Sequence, residues 1–293
     1  MLGKLNQIES KSDGMWTSHL AGFSLEVALQ NVGVFNPDPN VFPNGSLVFL
    51  PHLPGQIPSQ IKTACQRLVE IGYAPVPHVG GRHFSSSTDL REYLGAAHSG
   101  GATRVLVLAG DRDASAGPFP DSLDILRSPT FLDFEFEHIM VSGYPEPHPH
   151  IDDNSLNTAL YAKLELLGSL KVDVSIVTQF GFDGTAYIDW VKRLRDRGIK
   201  CPIRIGVAGV ATTPILLKYA LLCGVAPSVS FLLKRSKSVK GMMRGHQPDQ
   251  LIKEITDIFP VGTDPSLQFH FFPFGGAQKT LDWISELTDR HDG

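Results

Sequence analysis

Apolar residues fall along this chain in short β-branched and aromatic runs, which alternate with longer stretches whose apolar positions recur every three or four residues. Eight runs read as strands: 22–27 (GFSLEV), 46–50 (SLVFL), 73–78 (YAPVPH), 104–109 (RVLVLA), 138–143 (HIMVSG), 173–178 (DVSIVT), 202–207 (PIRIGV) and 267–272 (LQFHFF). The stretches between them carry helix signals. Over 57–71, Ile57, Ile61, Cys65, Leu68 and Val69 share a face and Gly72 supplies a stop. Over 87–99, Ser87 or Thr88 offers a cap and Leu90, Leu94 and Ala97 an apolar stripe, ahead of Gly100 and Gly101. Over 183–197, Asp183 caps, Tyr187, Val191 and Leu194 face inward, and Gly198 ends the helix.

Strand then helix, counted eight times, predicts parallel strands joined by right-handed crossovers and closed into a single (β/α)8 TIM barrel of the α/β class over 1–293. Residues 1–20 are expected as an N-terminal extension, and 224–266 as a helical insertion before the last strand. An open doubly wound sheet is the rival. It wants a glycine-rich dinucleotide turn after a strand, and the nearest candidate, Gly206-Val207-Ala208-Gly209, lacks the third glycine at the required spacing.

Composition narrows the function classes. With 42% hydrophobic and 19% charged residues, a chain of 293 residues has the apolar material for one barrel core. A net charge of −4 shows no basic excess of the kind a nucleic-acid partner requires. Cys65, Cys201 and Cys223 are far apart and lack paired metal-ligand spacing, which fits a reducing cytoplasm. Lys4, Glu9, Lys11 and Asp13 interrupt the first 20 residues, and no later apolar run is long enough to span a bilayer. The expectation is a cytoplasmic protein with neither a nucleic-acid nor a membrane partner, homo-oligomerisation being left open.

In such barrels the working groups stand at the carboxyl ends of the strands, where the loops converge. The polar residues at those ends are Glu26, His52, His78, Asp111, Tyr144, Glu146, His148 and Gln179. Glu26 interrupts the otherwise apolar Phe23–Leu29 run, so burial at the barrel mouth would raise its pKa and make it a proton donor; the alternative is a solvated strand-end carboxylate. Asp111 follows Gly110 in a small-residue turn that lets the chain approach a ligand, or else serves as a turn aspartate. In Tyr144-Pro-Glu-Pro-His-Pro149 three prolines hold Tyr144, Glu146 and His148 on an extended path, suited to binding or to a rigid turn.

Other chemistries lack their signatures. His148 and His150 have no defined third ligand, so no metal is expected. Neither a Gly-x-Ser-x-Gly elbow nor a Gly-x-x-x-x-Gly-Lys phosphate loop occurs.

Several motifs in order, Phe23-Ser24-Leu25-Glu26, Pro77-His78, Ala109-Gly110-Asp111, Gly143-Tyr144-Pro145-Glu146-Pro147-His148-Pro149 and Val177-Thr178-Gln179-Phe180-Gly181-Phe182-Asp183, with Phe269-His270-Phe271-Phe272 on the last strand, resemble the methylenetetrahydrofolate reductase family over about residues 22 to 285. The resemblance implies reduction of 5,10-methylenetetrahydrofolate to 5-methyltetrahydrofolate, with FAD carrying hydride from NAD(P)H. It implies that Glu26 protonates the folate nitrogen, that Asp111 lies between pterin and flavin, and that Gln179, with Phe180, binds the pterin. By the same resemblance His78, Gly110, Tyr144 and His148 would contact flavin, with Asn157 and Lys163 near its ribityl and phosphate groups and Arg82 as a compensating cation. The chain departs from the family pattern at Val27-Ala28-Leu29-Gln30, at Ala109 where an arginine is usual, at Pro273-Phe274-Gly275-Gly276, and in keeping only Lys163 of a basic pair. Two alternatives accompany the resemblance: a flavin-independent reductase taking hydride directly from NAD(P)H, and a non-catalytic folate-binding or assembly subunit. Joint retention of Glu26, Asp111 and Gln179 argues against the latter, since a pure binder has no use for a proton donor.

Overall fold

Eight parallel strands, hydrogen-bonded in sequence order, close into a barrel in the computed structural model, which describes residues 20–225, 248–260, 263, 264 and 266–289. The strands are β1 (Ser24–Glu26), β2 (Leu47–Leu50), β3 (Ala74–Gly80), β4 (Arg104–Leu108), β5 (His138–Gly143), β6 (Asp173–Thr178), β7 (Ile203–Ala208) and β8 (Leu267–Phe272). All eight runs read from the apolar pattern are present, and the fold is the (β/α)8 barrel expected from them. The ends differ. β3 runs two residues further than its apolar run suggested, because Val79 is buried and Gly80 offers no side chain to oppose pairing. β1 is shorter, Gly22 being turned out of extended geometry at φ 73°.

The helices follow from local chemistry. Helix α1 (Pro58–Glu70) starts with proline in its first turn, and the Gln60 side chain accepts the Ile57 N–H at 3.0 Å. It buries Ile61, Ala64, Cys65 and Leu68, each large apolar side chain contributing about 2 kcal/mol. Helix α2 (Ser87–Ser99) is capped by Ser86, whose hydroxyl accepts the Asp89 N–H at 3.1 Å, and not by Ser87 or Thr88. Two short helices, α3 (Ser122–Arg127) and α4 (Pro129–Leu132), are separated by Ser128, since Pro129 cannot continue the first. Helix α5 (Asp153–Gly168) is capped by Asp152, and α6 (Gly184–Asp196) by Asp183, as expected. Helices α7 (Thr213–Leu222), α8 (Asp249–Ile258) and α9 (Ala277–Asp289) complete the described chain. Of the expected N-terminal extension, residues 1–19 lie outside the described residues, as do 226–247 of the expected insertion, where α8 is the described helical part. No helix among the described residues is long and apolar enough to cross a membrane.

Contacts group the chain into two compact units. One comprises Ser24–Gly143 with Ile151–Val177; the other comprises Tyr144–His150, the described residues from Thr178 onward, and residues 20–23. In the first, Phe49, Val76, Leu106, Met140 and Val177 form an apolar cluster. Register decides what joins them on that face of the sheet. Glu26 is paired with Phe49, Phe49 with Val76, His78 with Leu106, and Leu106 with Met140. Partners in register in a parallel sheet point the same way, as do residues two apart on one strand. Glu26 and His78 therefore stand over the apolar cluster. In the second unit Phe180, Phe182, Ala208, Ala211, Leu216, Ala220 and Val225 form a separate core.

Candidate active site

The end of β1 and the last turn of β3 bring a carboxyl and an imidazole together. Glu26 Oε1 lies 3.5 Å from His78 Nε2, with the side chains only 15% and 10% exposed. Burial over the apolar cluster raises the Glu26 pKa to about 8 and lowers that of His78 to about 3. Both groups are thus neutral at pH 7, and the pair is a carboxylic acid facing an imidazole, not an ion pair. Of the two sequence readings of Glu26, the geometry has the carboxyl buried at the strand end and not solvated. His78 is held from its backbone: the Tyr93 hydroxyl donates to its carbonyl at 2.8 Å.

Beyond β3, the Gly81–His83 turn presents a residue that the sequence reading did not single out. His83 Nε2 lies 2.7 Å from Asp111 Oδ1, its side chain 4% exposed against 61% for the aspartate. The Cδ2–Nε2 edge of the His83 ring packs closely on two adjoining glycines. A Cβ on Gly80 would come within 2.9 Å of its Cδ2, and one on Gly110, which has φ +98°, within 2.8 Å. One side of the ring meets His52 at 4.7 Å between centroids, and His52 in turn stacks on Tyr93 at 4.4 Å. His52 has its pKa lowered to about 3, first by burial and then by His83 and His78. Glycines near the ends of two strands, with a histidine after the first and an aspartate after the second, were the available signal, but it needed the approach of residues 28 apart in sequence.

Arg82, in the same turn, is committed to the backbone: Nε donates to the Pro120 carbonyl at 2.9 Å and Nη1 to that of Arg112 at 3.0 Å. It ties down the loop that follows Asp111. Lys163, on α5, is 4% exposed, and burial lowers its pKa to about 8 against the opposing influence of Asp121. Asn157 lies six residues earlier on the same helix and is half-buried. A flavin dinucleotide needs charged or N–H partners for two phosphates. The two cations the sequence offers for them are one guanidinium spent on carbonyls and one ammonium buried in the helix layer, so these residues do not fit a tightly held diphosphate.

In the other unit, the proline-rich segment after β5 is held by its glutamate. Glu146 Oε1 accepts the N–H groups of Phe182 and Asp183 at 2.9 and 3.2 Å. Gly181 permits this approach, since a Cβ there would overlap the carboxylate. Glu146 is therefore a loop clamp. Tyr144 and His148 meet edge to face at 5.8 Å. Gln179 folds its amide oxygen onto the Phe180 N–H at 3.1 Å, and the buried Tyr187 hydroxyl reaches its carbonyl at 2.7 Å. Phe180, expected at the substrate, is 1% exposed and packs on Phe274 at 4.7 Å and Phe272 at 5.4 Å. The recess among Tyr144, His148, Gln179 and Val225 has room for little more than a water molecule. No group of three His, Cys, Asp or Glu residues placed to hold a metal occurs among the described residues.

Fold and strand-end chemistry thus define a (β/α)8 barrel with a neutral carboxyl over its apolar interior. A family model described as methylenetetrahydrofolate reductase matches residues 58–241, more than half of the chain, and the protein belongs to that family. Among curated relatives it is 29% identical over 143 residues to "Methylenetetrahydrofolate reductase (NADH) 1" of Arabidopsis thaliana, covering 44% of this chain and 24% of the relative. It is likewise 29% identical over 134 residues to "Methylenetetrahydrofolate reductase 2" of Saccharomyces cerevisiae, covering 42% and 22%. The matched stretch therefore spans about a quarter of each relative's length. A solved structure, an "Uncharacterized protein from Clostridium thermocellum binds two copies of 5-methyl-5,6,7,8-tetrahydrofolic acid", superposes with a TM-score of 0.57 at 11% identity over 92% of this chain and 94% of that one, which supports the fold.

Proposed function

We infer that the chain reduces 5,10-methylenetetrahydrofolate to 5-methyltetrahydrofolate, with Glu26 as the proton donor. The observation that carries this reading is the Glu26 carboxyl, raised to about 8 by burial at the end of β1 and facing a neutral His78. Opening the five-membered ring of the folate converts a departing nitrogen to an amine and needs a proton at that nitrogen. An ordinary glutamate, with a pKa of 4.5, would be only about one part in 300 protonated at pH 7. Glu26 holds its proton there. The iminium carbon left by ring opening then accepts hydride, giving the methyl group. Asp111 offers a carboxylate to the donor edge of the pterin. Family membership and the methyltetrahydrofolate bound by the clostridial neighbour support the substrate class.

The commitment of Arg82 and the burial of Lys163 favour a second feature of the reading: hydride comes directly from a reduced nicotinamide, without tightly bound FAD. The name of the Arabidopsis thaliana relative specifies NADH for that protein. The test joins a spectrum to a rate. Purified protein should lack flavin absorption near 450 nm and should oxidise NADH or NADPH in the presence of 5,10-methylenetetrahydrofolate, with 5-methyltetrahydrofolate as product. Glu26→Gln, which keeps shape but not the transferable proton, should lose about 10²-fold or more in rate with little change in folate affinity. Turnover of Glu26→Gln at the parental rate would remove Glu26 from the reaction, and a stoichiometric flavin spectrum would restore FAD.

A further inference from the structure

We propose that His83 is a positioning residue for folate binding, acting through Asp111. The proposal rests on the reading of Asp111 as a pterin ligand and extends it to a residue outside the family motifs noted above. Three observations meet on this side chain. Its Nε2 is 2.7 Å from Asp111 Oδ1, and the two differ sharply in exposure, 4% against 61%. Its Nδ1 is buried with no hydrogen-bond partner among the described residues. Its ring is confined by Gly80, Gly110 and His52.

A buried imidazole nitrogen without a partner is costly, and a structure tolerates it only when the other nitrogen is well used. Here the other nitrogen meets a carboxylate, which can only accept, so Nε2 carries the hydrogen and donates it. Packing of that edge on Gly80 and Gly110, with His52 against the ring, fixes where that hydrogen points. An exposed aspartate on a glycine turn would otherwise sample several rotamers, and a ligand would have to select one of them. His83 holds Oδ1 and leaves Oδ2 to accept from the ligand. The carboxylate is thereby set before folate arrives, and the cost of ordering it is met in folding. The close packing also requires glycine at position 110, which lies at positive φ, where a side chain would be strained as well as in contact with the ring.

The test compares His83→Gln, His83→Asn and His83→Leu in the full chain, alone and combined with Asp111→Asn. The glutamine amide nitrogen falls close to the place of Nε2, and that of asparagine close to Nδ1. Affinity for 5-methyltetrahydrofolate is read by titration calorimetry, and KM and kcat for 5,10-methylenetetrahydrofolate in steady state. His83→Leu and His83→Asn should each weaken folate binding and raise KM about tenfold, with kcat changed much less. His83→Gln should stay within about threefold of the parent. The double variant of His83→Leu with Asp111→Asn should bind folate no worse than Asp111→Asn alone. If the leucine variant does not fold, the glutamine and asparagine pair decides. Equal affinities for those two, or additive losses in the double variant, overturn the role of His83 while leaving the folate reading in place. Failure of the parental protein to bind 5-methyltetrahydrofolate overturns the folate reading and this role with it.

Discussion

Glu26 and His78 face each other across 3.5 Å with neither charged at neutral pH, because the same apolar surroundings push the carboxyl up and the imidazole down. That relationship sets how stability depends on pH. His78 and His52 fall from 6.5 to about 3, so below pH 6.5 the unfolded chain binds protons that the folded chain refuses, and stability drops as pH falls. Glu26 rises from 4.5 to about 8, so over that window the folded chain holds a proton the unfolded chain has lost, and stability drops as pH rises. From 4.5 to 6.5 the two histidines outweigh the one glutamate by one proton, worth up to about 1.4 kcal/mol per pH unit. Between pH 4.5 and 7.5, below the range in which the buried Lys163 titrates, stability should therefore peak near pH 6.5 in urea unfolding. Glu26→Gln should flatten the decline on the alkaline side; an unchanged slope there would show that the carboxyl is not buried as a neutral acid.

The close packing of His83 on Gly110 gives a paired prediction on stability. Gly110→Ala places a methyl 2.8 Å from the ring at φ +98° and should cost about 2 kcal/mol or more, since neither the backbone nor the confined ring can yield. Gly168→Ala is the control. Gly168 ends α5 with nothing within 4 Å of the added carbon, and the substitution should stabilise by about 0.5 kcal/mol. Urea midpoints at pH 7 measure both. A harmless Gly110→Ala would mean that the packing is loose.

The proline-rich segment reads in sequence as suited to binding or to a rigid turn, and the Glu146 carboxylate, which accepts the Phe182 and Asp183 N–H groups, fits the turn. Glu146→Ala should cost about 3 kcal/mol, the loss of two hydrogen bonds to a carboxylate with their donors left half-buried. Glu146→Gln keeps an acceptor oxygen and should cost about 1 kcal/mol. Equal losses for the two variants in urea unfolding would show that the side chain acts by packing and not by accepting.

The strands were legible because each is an apolar run bounded by glycine, proline or a cap; Glu26 stood out as the carboxylate that interrupts the Phe23–Leu29 run, but the run alone left burial and solvation at the strand end both open. What escaped were partners made by the chain's return. His83 and Asp111 are 28 residues apart, and Glu146 meets Phe182 over 36, through groups whose side-chain or backbone role no local pattern announces. Phe180 shows the converse. Its motif marks a family position, while its ring, among Phe182, Phe272 and Phe274, belongs to an apolar core. Arg82 likewise reads as a free cation in sequence and is consumed by two carbonyls in the fold.

The rate of folate reduction should itself report the Glu26 pKa. If the carboxyl donates the proton, the active form is the protonated one, so activity should be level through neutral pH and fall about tenfold per unit above pH 8. A donor with an ordinary carboxyl pKa would place the same fall near pH 4.5, and the enzyme would work at neutral pH with a small fraction of its acid. His78 sharpens the assignment, because it stays neutral down to about pH 3 and so contributes no titration of its own in the working range. His78→Asn should open the site to water, lower the Glu26 pKa, and shift the alkaline fall toward neutral pH while folate binding persists. In Glu26→Gln the residual rate should show no fall near pH 8. Profiles of kcat between pH 5 and 10 for the parent and the two variants measure all three statements. A parental profile that keeps its fall in Glu26→Gln would assign the titrating group elsewhere and leave the carboxyl without a catalytic part.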